Sequence, residues 1–203
     1  MFGFKKIILS TPKDSINYII PINTLLDSER VLKEYSRKHP SNEGFVVWGG
    51  LKDNNIFNVK LVIAPKTESD FGRVVVSHKS NYYVVKELSK RNIIQIAQVH
   101  SHPTSWIDHS QGDSEWAAFK VEGLLSIVVP NYCKKGFKDL LSCGVHRFSN
   151  NNFIRLSSKY IKEHFNLKMD LRSDFIDLRW GQNKCLMPMS GMKWEMIEPK
   201  YMV

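Results

Sequence analysis

The feature of the sequence that most restricts its fold is an apolar run that ends in two histidines. The run "IIQIAQVH", residues 93–100, is rich in branched side chains and predicts a buried inner strand. Side chains alternate between the two faces of a strand, so His100 and His102 project to the same side. Pro103 and a polar loop follow. The pattern therefore predicts a strand end that carries two neighbouring imidazoles.

The rest of the chain alternates between strand-like and helix-like segments. Apolar spacing within residues 22–35 predicts a helix closed by Pro40, and residues 80–92 predict a second helix capped by Ser80. A short helix is expected between Ser110 and Gly123. The predicted strands, besides residues 93–100, are 43–50 and 55–64 around a Lys-Asp-Asn turn, 124–130, and a hairpin that turns at 149–152. Residues 65–80 read as a loop.

This alternation predicts a mixed α/β fold, a sheet flanked by helices. We expect one catalytic domain over residues 1–157 and a C-terminal extension over 158–203, which is richer in charge and methionine. The extension would pack on the domain or bind a partner. Its candidate packing residues are Trp180, Met187, Met189, Trp194 and Tyr201.

Composition places the chain among soluble proteins of a reducing compartment. The 203 residues carry a net charge of +9, which attracts acidic partners, but the Lys and Arg residues are scattered as on an ordinary solvated surface. Cys133, Cys143 and Cys185 form no CxxC pair. The apolar part of the N-terminus is too short for a signal peptide, and no segment is long enough to span a bilayer. We therefore expect a cytoplasmic protein.

Two imidazoles at this spacing can share a metal ion, although a lone histidine is more often a hydrogen-bonded core or surface residue. Ser110 and Asp113, three residues apart, either form a helix capping box or supply a carboxylate ligand, and one arrangement can do both. Two histidines and one carboxylate are a known set for catalytic zinc, which lowers the pKa of its water to about 7. Glu43, before the strand "GFVVWGG", is a candidate base or simply an exposed strand-end residue.

The run "HSHPTSWIDHSQGD" matches H-x-H-P, six residues, then S-x-x-D, and so resembles the signature of the JAMM (MPN+) metalloproteases. The match is complete at His100, His102, Ser110 and Asp113. The upstream stretch "EGFVVWGG" looks like the family's glutamate-bearing strand, although Val46 stands where glycine is often found. The resemblance covers roughly residues 20–157.

The resemblance implies a single MPN-type domain with a curved mixed sheet and one Zn²⁺ held by His100, His102 and Asp113. Glu43 would take a proton from the attacking water and pass it to the leaving amine. Ser110 would hydrogen-bond the oxyanion, a role worth roughly 3 kcal/mol. The competing glutamates, Glu68 and Glu87, lie in the predicted loop and helix rather than before a strand.

Residues around the motif receive weaker predictions. Asp108 and His109 either support the ligands or, as we expect, face solvent, and Trp106 either shapes a groove or covers the metal. His78 and His146 read as structural residues. Cys133 and Cys143 are expected to pack as small apolar residues of the core.

The function that the resemblance implies is hydrolysis of the bond after the C-terminus of a ubiquitin-like modifier. The modifier and its conjugates would be the partners. Further candidates are the ubiquitin-activating and ubiquitin-conjugating homologues that bacterial members of the family often accompany, including in anti-phage defence operons. One alternative is a DNA-associated protein of the RadC type, but its motif loop differs and no strand-binding groove is evident, so nucleic acid is not expected. The other is a non-catalytic MPN scaffold, which usually lacks some of the ligands present here.

Overall fold

The apolar run that ends in the two histidines forms an inner strand of the main sheet. The structure, a computed structural model, describes residues 9–38, 42–70, 73–115 and 120–180. Its strands are β1 Asn17–Pro21, β2 Phe45–Asp53, β3 Ile56–Ala64, β4 Glu68–Asp70, β5 Arg73–Val75, β6 Ile94–Ser101, β7 Leu125–Val129, β8 Gly144–Ser149, β9 Asn152–Arg155, β10 Phe165–Lys168 and β11 Asp174–Asp177. Its helices are α1 Ile22–Lys38, α2 His78–Lys90, α3 Gln111–Glu115 and α4 Ser158–His164. Each helix in these ranges is too short or too polar to cross a bilayer.

The main sheet is mixed. In the described part of the chain it has nine strands in the order β10-β1-β3-β2-β6-β7-β8-β9, with β11 also paired to β3. The β2 strand pairs antiparallel with β3 and β6, whereas β6 and β7 are parallel. The ladder shifts register at Gly49 and Gly50, and such irregularities bend a strand. A Cβ on residue 50 would lie 2.0 Å from the Asn58 carbonyl oxygen, so glycine is the residue that fits at this position. The predicted mixed α/β domain with a curved, helix-flanked sheet is confirmed.

The two faces of the sheet have different partners. On one face Val46 and Trp48 of β2 pack with Leu25 and Leu32 of α1 in the larger apolar cluster. On the other face Val47 packs with Val84 and Leu88 of α2, which belong to the smaller cluster. The β2–β6 register pairs Val47 with Gln98 and Phe45 with His100. The side of the sheet that carries His100 is therefore the side that α2 covers.

Two local predictions are wrong. The segment 65–80, read as a loop, contains the hairpin β4–β5, whose three-residue strands pair with each other. These strands, of three residues each, are too short to show an apolar alternation. The N-cap of α2 is Ser77, whose hydroxyl accepts a hydrogen bond from the Ser80 N–H at 3.3 Å, and not Ser80 itself. Both serines suit a cap, so local preference alone did not distinguish them.

Residues 158–180 form a helix and two strands. Both strands join the main sheet, since β10 pairs with β1 and β11 with β3. Helix α4 is held to the domain by Tyr160, whose hydroxyl contacts the exposed Asp14 and the fully buried Arg147, both at 2.7 Å. The division of the chain at residue 157 stays a prediction. Of the expected packing residues, Trp180 is 57% exposed, and Met187, Met189, Trp194 and Tyr201 lie outside the described residues.

Candidate metal centre

His100, His102 and Asp113 come together at the end of β6. The two Nε2 atoms lie 3.2 Å apart. His100 Nε2 lies 3.4 Å from Asp113 Oδ1, and His102 Nε2 lies 3.3 Å from Oδ2. The histidines are 3% and 4% exposed, so these polar groups are held together away from bulk solvent. One ligand atom from each residue falls within 4.8 Å of the others, and the three residues could hold a metal ion.

The start of α3 holds the Asp113 carboxylate in place. Asp113 Oδ2 accepts a hydrogen bond from the Ser110 N–H at 2.7 Å, and Ser110 Oγ accepts one from the Asp113 N–H at 3.1 Å. These reciprocal bonds form a capping box. The carboxylate also faces both imidazoles. The capping box therefore forms, and the same carboxylate is placed where it could serve as a metal ligand.

The loop after β6 sets the tautomer of His102. Its Nδ1 lies 3.0 Å from the Trp106 carbonyl oxygen, which can only accept, so Nδ1 carries the proton. His102 Nε2 faces Asp113 and His100, and it is the nitrogen that a metal ion would contact. The Trp106 ring stacks on the His102 ring, with centroids 5.3 Å apart and planes 19° apart. A carbonyl partner on the distal nitrogen is the usual support of a metal-binding histidine.

Glu43 reaches the centre through the pairing of β2 with β6. The Gly44 N–H donates to Ser101 Oγ at 2.9 Å, and the Ser101 N–H donates to the Gly44 carbonyl at 3.1 Å. Because Gly44 opposes Ser101, Glu43 comes opposite His102, and Glu43 is only 5% exposed. Of the competing glutamates, Glu68 is exposed on β4, and Glu87 pairs with Lys90 and Arg91 on α2.

Burial and the charges of neighbouring residues shift the pKa values of three groups of the centre. Burial raises the pKa of Glu43, and the two histidines oppose that rise. For Asp113, burial acts to raise the pKa, but the hydrogen bonds from His100 and His102 outweigh it and hold the pKa well below the usual range. Burial acts to lower the pKa of His102, but Asp113 and Glu43 raise it overall. Asp113 is thus an anion at neutral pH, while Glu43 is a more basic carboxylate than usual.

A cavity of about 850 Å³ opens at the centre. Glu43, His100, His102, Ser110 and Asp113 all line it. One wall comes from β5 and the start of α2 and contains Val74, Val75, Val76, His78 and Asn81. Another part of the lining comes from the loop after β6 and contains Pro103, Thr104 and Trp106. Trp106, 48% exposed, therefore both shapes the groove and covers His102.

The cavity changes the interpretation of two sets of residues. His78, which had no partner in sequence, is an exposed residue of the cavity wall. The expectation that Asp108 and His109 face solvent is wrong. Asp108 Oδ1 lies 2.6 Å from Arg155 Nη1, and the His109 ring stacks on the His146 ring with centroids 3.9 Å apart. No sequence signal links these residues, because their partners lie on distant strands.

The described cysteines take no part in the site. Cys133 and Cys143 are free, buried and part of the larger apolar cluster, as predicted. Burial raises the pKa of each thiol to about 12, so neither supplies a thiolate at neutral pH. Cys185 lies outside the described residues.

Because His146 is buried, we expect the metal-free protein to lose stability in mild acid. Burial, with Arg155 nearby, lowers the pKa of His146 to about 4 from an ordinary 6.5. The unfolded chain therefore binds this proton first as pH falls below 6.5, and the stability lost by pH 4 approaches about 3 kcal/mol. His146→Leu should show a shallower fall in the free energy of unfolding between pH 7 and 4.5, measured in urea without metal. If the free energy of unfolding falls equally with pH in the wild type and in His146→Leu, His146 is not the group responsible.

Comparisons with known proteins found a similar sequence and a similar fold. No protein-family model matches the chain. The chain is 31% identical over 100 residues to a protein of Sinorhizobium fredii named probable metalloprotease y4jG. The match takes in 47% of this chain and 61% of that relative's length. The solution structure of protein DSY2949 from Desulfitobacterium hafniense superposes with a TM-score of 0.54 at 18% identity. The superposition covers 75% of this chain and 94% of that chain, and it shows a similarity of fold.

Proposed function

We propose that the protein is a zinc-dependent peptidase of the JAMM (MPN+) type that cleaves the bond after the C-terminus of a ubiquitin-like modifier. The observation that carries the proposal is the convergence of His100, His102 and Asp113, with Glu43 and Ser110 lining the same cavity. The relative named probable metalloprotease supports the hydrolase class. The H-x-H-P and S-x-x-D motif supports the finer assignment.

The donor set fits zinc. Zinc–ligand bonds of about 2.0–2.1 Å put neighbouring atoms of a tetrahedron about 3.3–3.4 Å apart. The two Nε2 atoms lie 3.2 Å apart, and each lies at a similar distance, 3.4 or 3.3 Å, from a different oxygen of the Asp113 carboxylate. Two imidazoles and one carboxylate leave a fourth position open, as in catalytic rather than structural sites. Bound there, zinc would supply a Lewis acid and a water whose pKa is near 7.

The other residues then have defined tasks. Glu43, with its raised pKa, takes the proton of the attacking water and returns it to the leaving amine. The Ser110 hydroxyl oxygen accepts from the Asp113 N–H, so its own proton is available to the oxyanion of the tetrahedral intermediate. Of the described residues that line the cavity none is Lys or Arg, which favours a peptide over a nucleic-acid backbone.

The groove suits an extended chain. Strand β5 pairs with β4, and Val74 and Val75 line the cavity. An extended tail can add to a strand edge of this kind and so bring its last peptide bond to the metal. The substrate would be the modifier and its conjugates in the cytoplasm. Activating and conjugating homologues, in a bacterial conjugation or anti-phage defence pathway, would be the partners.

The test uses ubiquitin-like proteins whose tails are joined to a reporter by a peptide bond or to a lysine by an isopeptide bond. We expect the zinc-loaded protein to cleave at least one of these after the tail, and a chelator to stop the reaction until zinc is restored. Zinc binding without cleavage of any tail, peptide or isopeptide, would instead identify a scaffold. Cleavage that persists in the chelator would exclude a metal-dependent reaction.

Ser101 is expected to position the base. Its hydroxyl accepts from the Gly44 N–H next to Glu43, so Ser101→Ala leaves that buried donor without its acceptor. We expect kcat to fall about 10-fold, with KM and zinc content unchanged. Ser28→Ala is the matched control. Ser28 is another fully buried serine, donating to the Thr24 carbonyl at 2.7 Å, and its loss should cost stability but not kcat. Equal kcat values for the two variants would exclude this role of Ser101.

A further inference from the structure

In the loop that carries Asp113, three consecutive residues, Ile107, Asp108 and His109, pack on the sheet and are here termed the docking segment. Before it, the side chains of residues 103–106 are exposed, although the Thr104 carbonyl accepts from the Asn131 N–H at 2.8 Å and the Trp106 carbonyl contacts His102. After it comes α3, whose described length is five residues. A capping box fixes Asp113 relative to Ser110 but not relative to the histidines. Besides the contacts of Asp113 itself with the two Nε2 atoms, the contacts of the loop with the sheet therefore help to set where Asp113 lies relative to β6.

A polar row on the sheet receives the docking segment. The strand registers pair Gln98 with Ser126, Ser126 with His146, and His146 with Arg155. Residues paired in register project to the same face, and Gln98 projects to the face of His100. The polar row thus crosses β6, β7, β8 and β9 beside the metal centre.

Each residue of the docking segment has its own contact. Asp108 Oδ1 lies 2.6 Å from Arg155 Nη1 at the far end of the polar row. His109 Nε2 lies 2.9 Å from Ser126 Oγ, which in turn accepts from Gln98 Nε2 at 3.0 Å. The Ile107 carbonyl rests on Gly144, where a Cβ would lie only 1.7 Å from its oxygen. Burial and the neighbouring His146 lower the pKa of His109, so the two stacked rings are neutral and do not repel.

We infer that the docking segment positions Asp113, so that the polar row tunes metal affinity without touching the metal. The inference rests on the metal site of the proposed function and is independent of its substrate. Arg155 and Gly144 lie on β9 and β8, apart from the ligands, and the ring centroids of His100 and His109 are 6.4 Å apart. Contacts of this indirect kind commonly alter metal affinity by about 10–100-fold.

The test measures zinc affinity by competition with a chromogenic chelator, on proteins shown to be folded without metal. Arg155→Met removes the partner of Asp108, and we expect an approximately 10-fold larger zinc dissociation constant. Asp108→Asn should have the same effect, and the double variant should be no worse than either single one, because both remove one contact. Gly144→Ala displaces the Ile107 carbonyl and should weaken zinc binding by a different route.

Arg91→Met is the matched control. Arg91 pairs with Glu87 at 2.7 Å and its side chain is 26% exposed, against 2.6 Å and 21% for Arg155. The Arg91→Met protein should lose about as much stability as the Arg155→Met protein but bind zinc as tightly as the wild type. Wild-type zinc affinity in folded Arg155→Met and Gly144→Ala proteins would overturn the inference while leaving the proposed function intact. A wild-type protein that binds no zinc would overturn both.

Discussion

Glu43→Gln is expected to lower kcat by about 10²–10⁴-fold while the protein keeps its zinc. Glutamine preserves the shape of the side chain but cannot accept a proton. Glu43 is buried opposite His102 and is not a member of the three-residue metal cluster, so its loss should leave the metal in place. The measurement is turnover of the cleaved reporter substrate together with zinc content per chain.

Glu68→Gln provides the control for this result, because Glu68 is exposed on β4 and does not line the cavity. It should turn over at the wild-type rate. A Glu43→Gln protein that is as active as the Glu68→Gln protein would show that another group moves the proton. Glu43→Ala should resemble Glu43→Gln, keeping zinc and losing turnover.

His102→Ala is expected to lose both zinc and turnover. Two remaining donors cannot hold the ion at the affinity of three, so the zinc dissociation constant should rise more than about 100-fold, beyond the range typical of indirect contacts. The loss also removes the hydrogen bond from Nδ1 to the Trp106 carbonyl. Equilibrium competition with a chelator measures the affinity.

His78→Ala is the matched control for His102, because His78 lines the same cavity without belonging to the cluster. It should bind zinc as tightly as the wild type. If His78→Ala lost zinc and His102→Ala retained it, the ligands would have been assigned to the wrong residues. Comparing the two therefore separates a ligand from a residue of the cavity wall.

The parts of the site that were predictable depend on local geometry. His100 and His102 share a face because strand side chains alternate, and Ser110 and Asp113 meet because they are three residues apart at a helix start. The position of Glu43 before a strand makes it a candidate base, and only the resemblance selects it. The physical link is the pairing of Gly44 with Ser101, which joins residues 57 positions apart and cannot be inferred from periodicity.

The features that were missed depend on long-range contacts or very short elements. The β4–β5 hairpin forms a wall of the cavity, yet its strands have three residues each and no apolar alternation. Asp108 and His109 look like solvent-facing loop residues because Arg155 and His146 lie far along the chain. Nothing in the sequence around Gly144 indicates that the Ile107 carbonyl approaches it closely. Such contacts become visible only once the order and register of the strands are known.

X-ray absorption at the zinc edge of the zinc-loaded protein tests the metal site most directly. We expect one zinc per chain with nitrogen and oxygen ligands at about 2.0–2.1 Å, two of them imidazole. His102→Ala should remove the bound zinc, whereas Glu43→Gln should leave the ligand shell unchanged. A sulfur ligand at about 2.3 Å, or a folded protein that takes up no zinc at saturating concentration, would show that His100, His102 and Asp113 do not form a zinc site.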